Sequence, residues 1–144
     1  MEKISTLLKD ITRQGRRYRE SLLTPLGISM RLAVYLREID AEPGISQERL
    51  SRYLYVNKSN VARNVADMEE EGYIERRICG NDRRILRLYL TEKAQAIMPQ
   101  INEVRDKWEQ LLMDGMTPEE QQILERLMRQ MRSSILDALE EETP

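Results

Sequence analysis

Hydroxyl, amide and guanidinium groups recur at short spacing in the middle of this sequence, where they could bind nucleic acid. Ser59, Asn60 and Arg63 share one side of a helix that the pattern predicts over residues 57–71. All three side chains can donate hydrogen bonds, and arginine or asparagine on a helix can pair with the edge of a base. We expect Arg63 to contact guanine, and Asn60 or Asn64 to contact adenine.

The charges along this helix predict which half would approach a polyanion. Lys58 and the positive end of the helix dipole lie at its N-terminal end, whereas Asp67 and Glu69–Glu71 make the far end acidic. The helix would therefore enter a groove by its N-terminal half. An ordinary amphipathic surface helix is the alternative, because polar outer faces are common.

A second charged cluster, Asp82-Arg83-Arg84, lies between two stretches in which apolar and polar residues alternate. Residues 73–78 and 85–90 are predicted to form the arms of a β-hairpin. At a hairpin tip, Arg84 can enter the minor groove, whose negative potential attracts a guanidinium, with Asp82 holding it extended. Taken alone, the cluster would be interpreted as a solvated turn.

Further basic groups on the hairpin arms are candidates for phosphate contacts, among them Arg87; such contacts position a protein on DNA without specifying sequence. The complete set of candidate DNA-binding residues is Ser46, Lys58, Ser59, Asn60, Arg63, Asn64, Arg76, Arg77, Asp82, Arg83 and Arg84.

The elements that would position these groups follow from hydrophobic periodicity and capping residues. The predicted order is four helices, a hairpin and two helices, with N-caps at Ser46, Asn57 and Thr117. The first and last helices carry apolar seams that so small a domain cannot bury alone, which favours a two-fold homodimer.

The predicted fold class is mostly α with a small β-hairpin wing (α+β). In one domain over 1–144, the winged helix-turn-helix covers 29–91, and 1–24 and 92–141 are dimerisation helices.

Composition argues against several other classes of protein. With no histidine and only six scattered glycines, the sequence lacks an evident catalytic pair, a phosphate loop or a zinc site, so we expect neither an enzyme nor a cofactor or metal. The net charge of −2 is uneven: 1–44 and 45–91 each carry +2, and 92–144 carries −6. No apolar stretch approaches the length of a membrane span, and the N-terminus lacks the pattern of a signal peptide. We therefore expect a cytoplasmic protein.

A run of four arginines on the first helix leaves its role open. A solvated helix face is one interpretation; the other is that at least one arginine lines an anionic ligand pocket or reaches the DNA backbone. Tyr18 and Trp108 lie on apolar seams, so we expect packing rather than ligand stacking. The four arginines are Arg13, Arg16, Arg17 and Arg19.

Residues 45–50 (ISQERL) and 57–63 (NKSNVAR) resemble the helix-turn-helix of MarR-family regulators. Residues 69–74 (EEEGYI) are similar to that family's exit from the recognition helix. Asp82-Arg83-Arg84 followed by Leu90-Thr91-Glu92-Lys93-Ala94 is similar to its wing and the entry to the next helix. The resemblance covers nearly the whole chain in helix order. One departure is Asn57, where the family often has aspartate; either residue can cap a helix.

This resemblance implies a homodimer that binds double-stranded DNA at a palindromic operator. It implies repression, and release of DNA when a small, often aromatic effector binds between the dimer helices and the DNA-binding lobe. Cys79, at the end of a wing strand, lies away from the region where redox-sensing members carry their cysteine, so we expect ordinary packing. A winged-helix module that binds protein instead of DNA is the alternative function.

Overall fold

A computed structural model of the chain describes residues 1–78, 80 and 84–143. The chain divides into two compact units, Met1–Trp108 and Glu109–Pro144. The helices are α1 (Ile4–Leu23), α2 (Met30–Ala41), α3 (Gln47–Leu54), α4 (Lys58–Glu70), α5 (Glu92–Leu112) and α6 (Pro118–Glu142). The strands are β1 (Ile45–Ser46), β2 (Ile74–Ile78) and β3 (Leu86–Leu90), and a 3-10 helix covers Thr24–Leu26. This mostly helical fold with a small antiparallel sheet confirms the predicted fold class.

The two short central helices begin at the capping residues that the sequence predicts. Ser46 Oγ accepts a hydrogen bond from the backbone N–H of Arg49 at 3.1 Å. Asn57 Oδ1 accepts one from the backbone N–H of Asn60 at 2.8 Å. Each such cap is worth about 1 kcal/mol, which matters for helices too short to be stable alone. At the other end of α4, Gly72 has a φ of +86°, a conformation that favours glycine and turns the chain into the hairpin.

The core of Met1–Trp108 is formed largely by the inner faces of α2, α4 and α5 and by the sheet. Leu50 of α3 and Leu88 of β3 are completely buried within it. Because each buried aliphatic side chain contributes about 1.5–3 kcal/mol, these contacts set how each helix is rotated about its axis. The buried side chains on the inner faces of α2 and α4 include Leu32, Tyr35, Leu36, Ile39, Val61, Val65 and Met68.

The sheet contains a strand that the sequence did not predict. Its order is β1-β3-β2, and both pairings are antiparallel, with Ile45 opposite Leu88 and Ile74 opposite Leu90. The strand β1 has two residues, too few to show alternation. Because Ser46 pairs with Arg87 of β3 and also caps α3, this strand joins the start of α3 to the base of the hairpin.

Gly15, near the middle of α1, lies directly against Trp108 of α5. A β-carbon at position 15 would overlap the indole atoms Cη2 and Cζ2 and lie 3.0 Å from Cζ3. The Tyr18 and Trp108 ring centroids are 6.2 Å apart, and the Arg19 guanidinium lies 5.4 Å from the indole centroid. Both aromatic residues therefore serve packing, as predicted.

The unit Glu109–Pro144 contains α6, which opens with the predicted capping box. Thr117 Oγ1 accepts from the Glu120 N–H at 3.2 Å, and the Glu120 carboxylate accepts from the Thr117 N–H at 2.8 Å.

None of the described helices contains a stretch long and apolar enough to cross a bilayer. Apolar side chains nevertheless remain exposed along α6, namely Ile123, Leu127, Met128, Met131, Ile135, Leu136 and Leu139. On α1, Ile4, Leu7, Leu8 and Ile11 are also exposed.

Gly15→Ala tests the packing of α1 on Trp108. Glycine to alanine inside a helix normally stabilises a protein by up to about 1 kcal/mol. Here the added methyl group overlaps the indole, so we expect the free energy of unfolding to fall by about 1–3 kcal/mol in urea denaturation at fixed protein concentration. In a Trp108→Leu background the loss should disappear; an equal loss in both backgrounds would contradict this account.

Candidate nucleic-acid interface

The outer face of α4 presents the polar side chains that the sequence predicts for base reading. Ser59 and Arg63 are exposed and Asn60 is half-buried, while the opposite face of the helix lies in the core. Arg63 Nη2 donates a hydrogen bond to Asn60 Oδ1, so the guanidinium and the amide lie side by side. Both groups belong to the N-terminal half of α4, where the helix dipole favours an anion.

Asn64 faces away from this surface and bonds to α2, which argues against its predicted base contact. Its Nδ2 donates to the Tyr35 hydroxyl at 2.9 Å, and its Oδ1 accepts from Arg31 Nη1 at 3.0 Å. Tyr35 is only 3% exposed. Since both ends of the amide are occupied inside the protein, we remove Asn64 from the base-reading set and treat it as a link between α2 and α4.

A polar groove of about 590 Å³, which we call the wing groove, runs between the start of α3 and the base of the hairpin. Ser46, Lys58 and Arg84, all predicted to contact DNA, line it. Arg49 and Arg52 of α3 also line it, and the sequence interpretation missed them. Their spacing of three residues on one helix, following a capped N-terminus, was the available signal.

Two basic groups of the wing groove, Lys58 and Arg49, are paired with acidic side chains that also line it. Lys58 Nζ lies 3.3 Å from Glu48 Oε1, with the two side chains 73% and 62% exposed. Arg49 Nε lies 3.0 Å from the Glu42 carboxylate. A hydrogen bond to the Tyr53 hydroxyl, together with Glu42, raises the pKa of Arg49. Exposed ion pairs are weak, so a phosphate could replace the carboxylate of Glu48 as the partner of Lys58.

Arg76, predicted to contact phosphate, instead joins the hairpin to α4 through Glu69. The Glu69 carboxylate accepts hydrogen bonds from Arg76 Nη2 at 3.0 Å and from Arg76 Nε and backbone N–H at 3.2 Å each. The hydrogen bonds from the Arg76 side chain hold the pKa of Glu69 below its ordinary value, although partial burial opposes the shift. Arg76 therefore orients β2 on the recognition helix.

The other arginines of the hairpin arms differ in how they are held. Arg77 is exposed, lies 3.0 Å from the Glu75 carboxylate and stacks 4.3 Å from the centroid of the Tyr89 ring. Arg87 Nη1 donates to the carbonyl of Gly44 at 3.1 Å and so closes the base of the wing groove. Arg77 thus presents its charge outward, whereas Arg87 braces the sheet.

The tip of the hairpin contains several predicted site residues. Asp82 and Arg83 lie outside the described residues, as does Cys79. Arg84 is described, is exposed and lines the wing groove. The predicted minor-groove contact of Arg84 and its bracing by Asp82 stay predictions.

Comparison with known proteins identifies the family of the chain. Residues 26–85, which contain α2, α3, α4 and β2, match the sequence model of the MarR family. A crystal structure of MarR superposes with a TM-score of 0.80 at 29% identity, covering 97% of this chain and 95% of that one. A MarR transcriptional regulator from Methanosarcina mazei Go1 gives a TM-score of 0.79 at 28% identity, covering 92% of this chain and 96% of that one. Within residues 26–85 the chain belongs to the MarR family, and over nearly its whole length it has the fold of MarR structures.

Another MarR-family structure relates this fold to DNA. A mutant MarR from E. coli, complexed with operator DNA, has a TM-score of 0.79 at 24% identity, covering 89% of this chain and 92% of that one. At that identity the likeness concerns the fold alone. The MarR family match confirms the resemblance found in the sequence, with α3 and α4 as the helix-turn-helix and β2 and β3 as the arms of the wing.

This MarR-family chain has a second cavity, of about 860 Å³, which we call the basic pocket. It lies between α1, α2 and the turn from α3 to α4, and Leu8, Val34, Leu54 and Val56 give it an apolar lining. Three members of the predicted arginine run share the cavity, whereas Arg17 donates to Gln14 at 3.2 Å and does not line it. The basic residues of the pocket are Lys9, Arg13, Arg16, Arg19 and Arg31.

The Glu69–Arg76 contact predicts how stability responds to acid. Because the folded-state pKa of Glu69 is lowered, its contribution is complete above the unfolded value of about 4.3 and is lost as the pH falls through the folded value. We expect Glu69→Gln to lower the free energy of unfolding by about 1 kcal/mol near pH 7, as befits a partly exposed pair, and by less near pH 3.5.

Urea denaturation of both proteins at the two pH values measures this difference. Glu70→Gln is the matched control, since Glu70 is the exposed neighbour of Glu69 and has no hydrogen-bonded partner among the described residues. Its effect should be small at both pH values. A deficit for Glu69→Gln that is as large in acid as at neutral pH would contradict the assignment.

Proposed function

We propose that this chain binds double-stranded DNA as a homodimer and represses transcription from an inverted-repeat operator. The observation that carries the proposal is the outer face of α4, where Arg63 and Asn60 lie side by side on a helix whose other face is buried. Such a helix can lie in the major groove while the preceding helix crosses the backbone. The operator complex of the E. coli MarR supports this mode of binding through the shared fold.

The proposed roles of the side chains follow from their positions. Arg63 reads guanine, Asn60 reads adenine and Ser59 donates to a base or a phosphate. Arg84 enters the minor groove with Asp82 as its brace, a role that rests on the sequence. The phosphate contacts are assigned to Ser46, Arg52, Lys58, Arg77 and Arg83.

The proposed dimer rests on the apolar side chains that α1 and α6 leave exposed. A row of exposed apolar side chains along a helix often marks an interface with another chain. We assign residues 29–91 to the DNA-binding lobe, and 1–24 and 92–141 to dimerisation. A two-fold dimer requires two half-sites about one helical turn apart, which is why the operator should be palindromic. A regulator that works on DNA in this way is expected in the cytoplasm.

Selection of bound sequences from a random duplex pool is the decisive experiment. We expect an inverted repeat to be enriched, with affinity falling steeply as salt rises because bound phosphates release counterions. A palindrome would support both the dimer and the DNA function. If nothing is enriched and the promoter of its own gene is not bound at any salt concentration, the chain is better explained as a winged-helix module that binds protein.

Two substitutions separate base reading from phosphate positioning on the selected duplex. Arg63→Ala should reduce the preference for one base in each half-site by about 1–3 kcal/mol. Arg84→Ala should weaken all duplexes alike and reduce the slope of log K against log salt by about one. Arg129→Ala, which removes the same charge from an exposed pair on α6, should change neither quantity. Uniform loss of affinity in Arg63→Ala would argue against base reading.

We further propose that a small anionic effector binds in the basic pocket and thereby causes the protein to release DNA. Cationic side chains gathered above an apolar lining suit an amphipathic anion, such as an aromatic carboxylate. The pocket touches the turn between α3 and α4 through Leu54 and Val56, so an occupant would contact the DNA-binding lobe directly. That contact makes an effect on DNA affinity possible.

Benzoate is a suitable probe of the basic pocket. Titration calorimetry should detect its binding, and Arg13→Gln should weaken that binding about tenfold because a charge-assisted hydrogen bond is lost. Arg17→Gln removes the same charge from the same helix outside the pocket and should leave binding unchanged. Equal losses in both variants, or no binding to the wild-type chain, would argue against an aromatic carboxylate as the effector.

A further inference from the structure

Arg31 belongs at the same time to the basic pocket and to the contact with α4. Its side chain lines the pocket, and its Nη1 donates to Asn64 Oδ1 at 3.0 Å. Tyr35, one turn further along α2, also lines the pocket, and its hydroxyl accepts from Asn64 Nδ2 at 2.9 Å. The wall of the pocket and the recognition helix are therefore joined by one layer of hydrogen-bonded side chains.

Asn64 is well placed to influence the base-reading residues. It follows Arg63 directly and lies one helical turn from Asn60. The far end of α4 is held separately, by Glu69 through Arg76 and by Lys93 Nζ, which donates to the Glu71 carbonyl at 2.6 Å. Among the described residues, Asn64 provides the hydrogen bonds that attach this part of α4 to α2.

Asn64 is a weaker hydrogen-bond partner for Arg31 than an anion in the pocket would be. Its present acceptor is a neutral amide oxygen, whereas a carboxylate or phosphate accepts a stronger, charge-assisted hydrogen bond. The side chain is exposed and the described residues that line the pocket include no acidic group. An incoming anion would therefore compete with Asn64 for Arg31 and would meet no carboxylate in the lining.

We propose that Arg31 is the positioning residue that couples the two sites, because it bonds Asn64 when the basic pocket is empty and turns to an anion when the pocket is filled. Losing Arg31 loosens the N-terminal half of α4 and lowers the affinity for DNA. The inference rests on the proposed DNA function. A ligand shifts an equilibrium only through its different affinities for the two states, so DNA binding must weaken anion binding by the same factor.

The test places an anion beside Arg31 without needing to know the effector. Val34 lines the pocket and lies three residues from Arg31 on α2, within reach of a side-chain pair. Val34→Glu should bind the selected duplex at least about fivefold more weakly than its neutral counterpart Val34→Gln, the lower end of usual coupling between sites. In an Arg31→Met background the two should differ by less than about twofold.

The pattern across backgrounds separates coupling from simple repulsion of DNA by an added negative charge. Repulsion would give the same difference with and without Arg31, and that result would overturn the proposal. Equal affinities of Val34→Glu and Val34→Gln when Arg31 is present would also overturn it. Thermal unfolding of all four proteins checks that they are folded at the temperature of the binding assay.

A second measurement uses variants that leave Val34 unchanged. Arg31→Met and Asn64→Ala should each weaken DNA binding. The double variant should bind no more weakly than the weaker-binding single variant, because both substitutions remove the same hydrogen bond between Arg31 and Asn64. Arg37→Met, which removes a charge from α2 outside the basic pocket, is the control and should bind DNA normally. Additive losses from Arg31 and Asn64 would overturn the proposal.

Failure of the proposed function gives a different result from failure of the coupling. If the wild-type chain selects no duplex, the DNA function is wrong and the coupling falls with it. If the wild-type chain binds its duplex but affinity does not depend on Arg31 in these ways, only the coupling is wrong.

Discussion

The burial of Val61, Val65 and Met68 is the constraint on which the reading surface depends. These side chains are at most 2% exposed, and each contributes about 1.5–3 kcal/mol through burial. Rotating α4 about its axis would expose them, so the core itself determines which side of the helix faces outward. Ser59 and Arg63 are accessible for that reason, and their availability needs no further interaction to maintain it.

Polar contacts then adjust the position of α4 within the limits that the core allows. They hold the helix at its middle through Asn64, at its last turn through Glu69, and beyond its end where Thr91 Oγ1 donates to the Gly72 carbonyl at 2.6 Å. Such contacts are partly exposed and weaker than the packing of the core, so other partners can exchange with them. The helix is consequently fixed in its rotation yet open to small adjustments, as the proposed regulation of its base-reading face requires.

The parts of this fold that were predictable are those whose information is local in the sequence. Caps at Ser46 and Asn57, the inward face of α2 and the glycine after α4 all depend on spacings of a few residues. The roles of Asn64 and Arg76 were not predictable in this way. Asn64 bonds to Arg31 and Tyr35, which are 33 and 29 residues away, and Arg76 is captured by Glu69 only after the hairpin folds back on α4. A helical wheel shows an asparagine as polar but does not show its partner.

Many basic side chains have partners within the chain that an external anion could replace. This also explains how a chain of net charge −2 can present a DNA-binding surface. Charges more than about 10 Å apart are largely screened at ordinary salt, so the groups within reach of a phosphate matter more than the net charge of the whole chain. Near the wing groove the carboxylate of Glu48 is an exposed partner of Lys58 that a phosphate can replace. Near the basic pocket the partner of Arg31 is a neutral amide. In both places the cation has a weak partner within the chain, so an external anion would have to replace only a weak interaction.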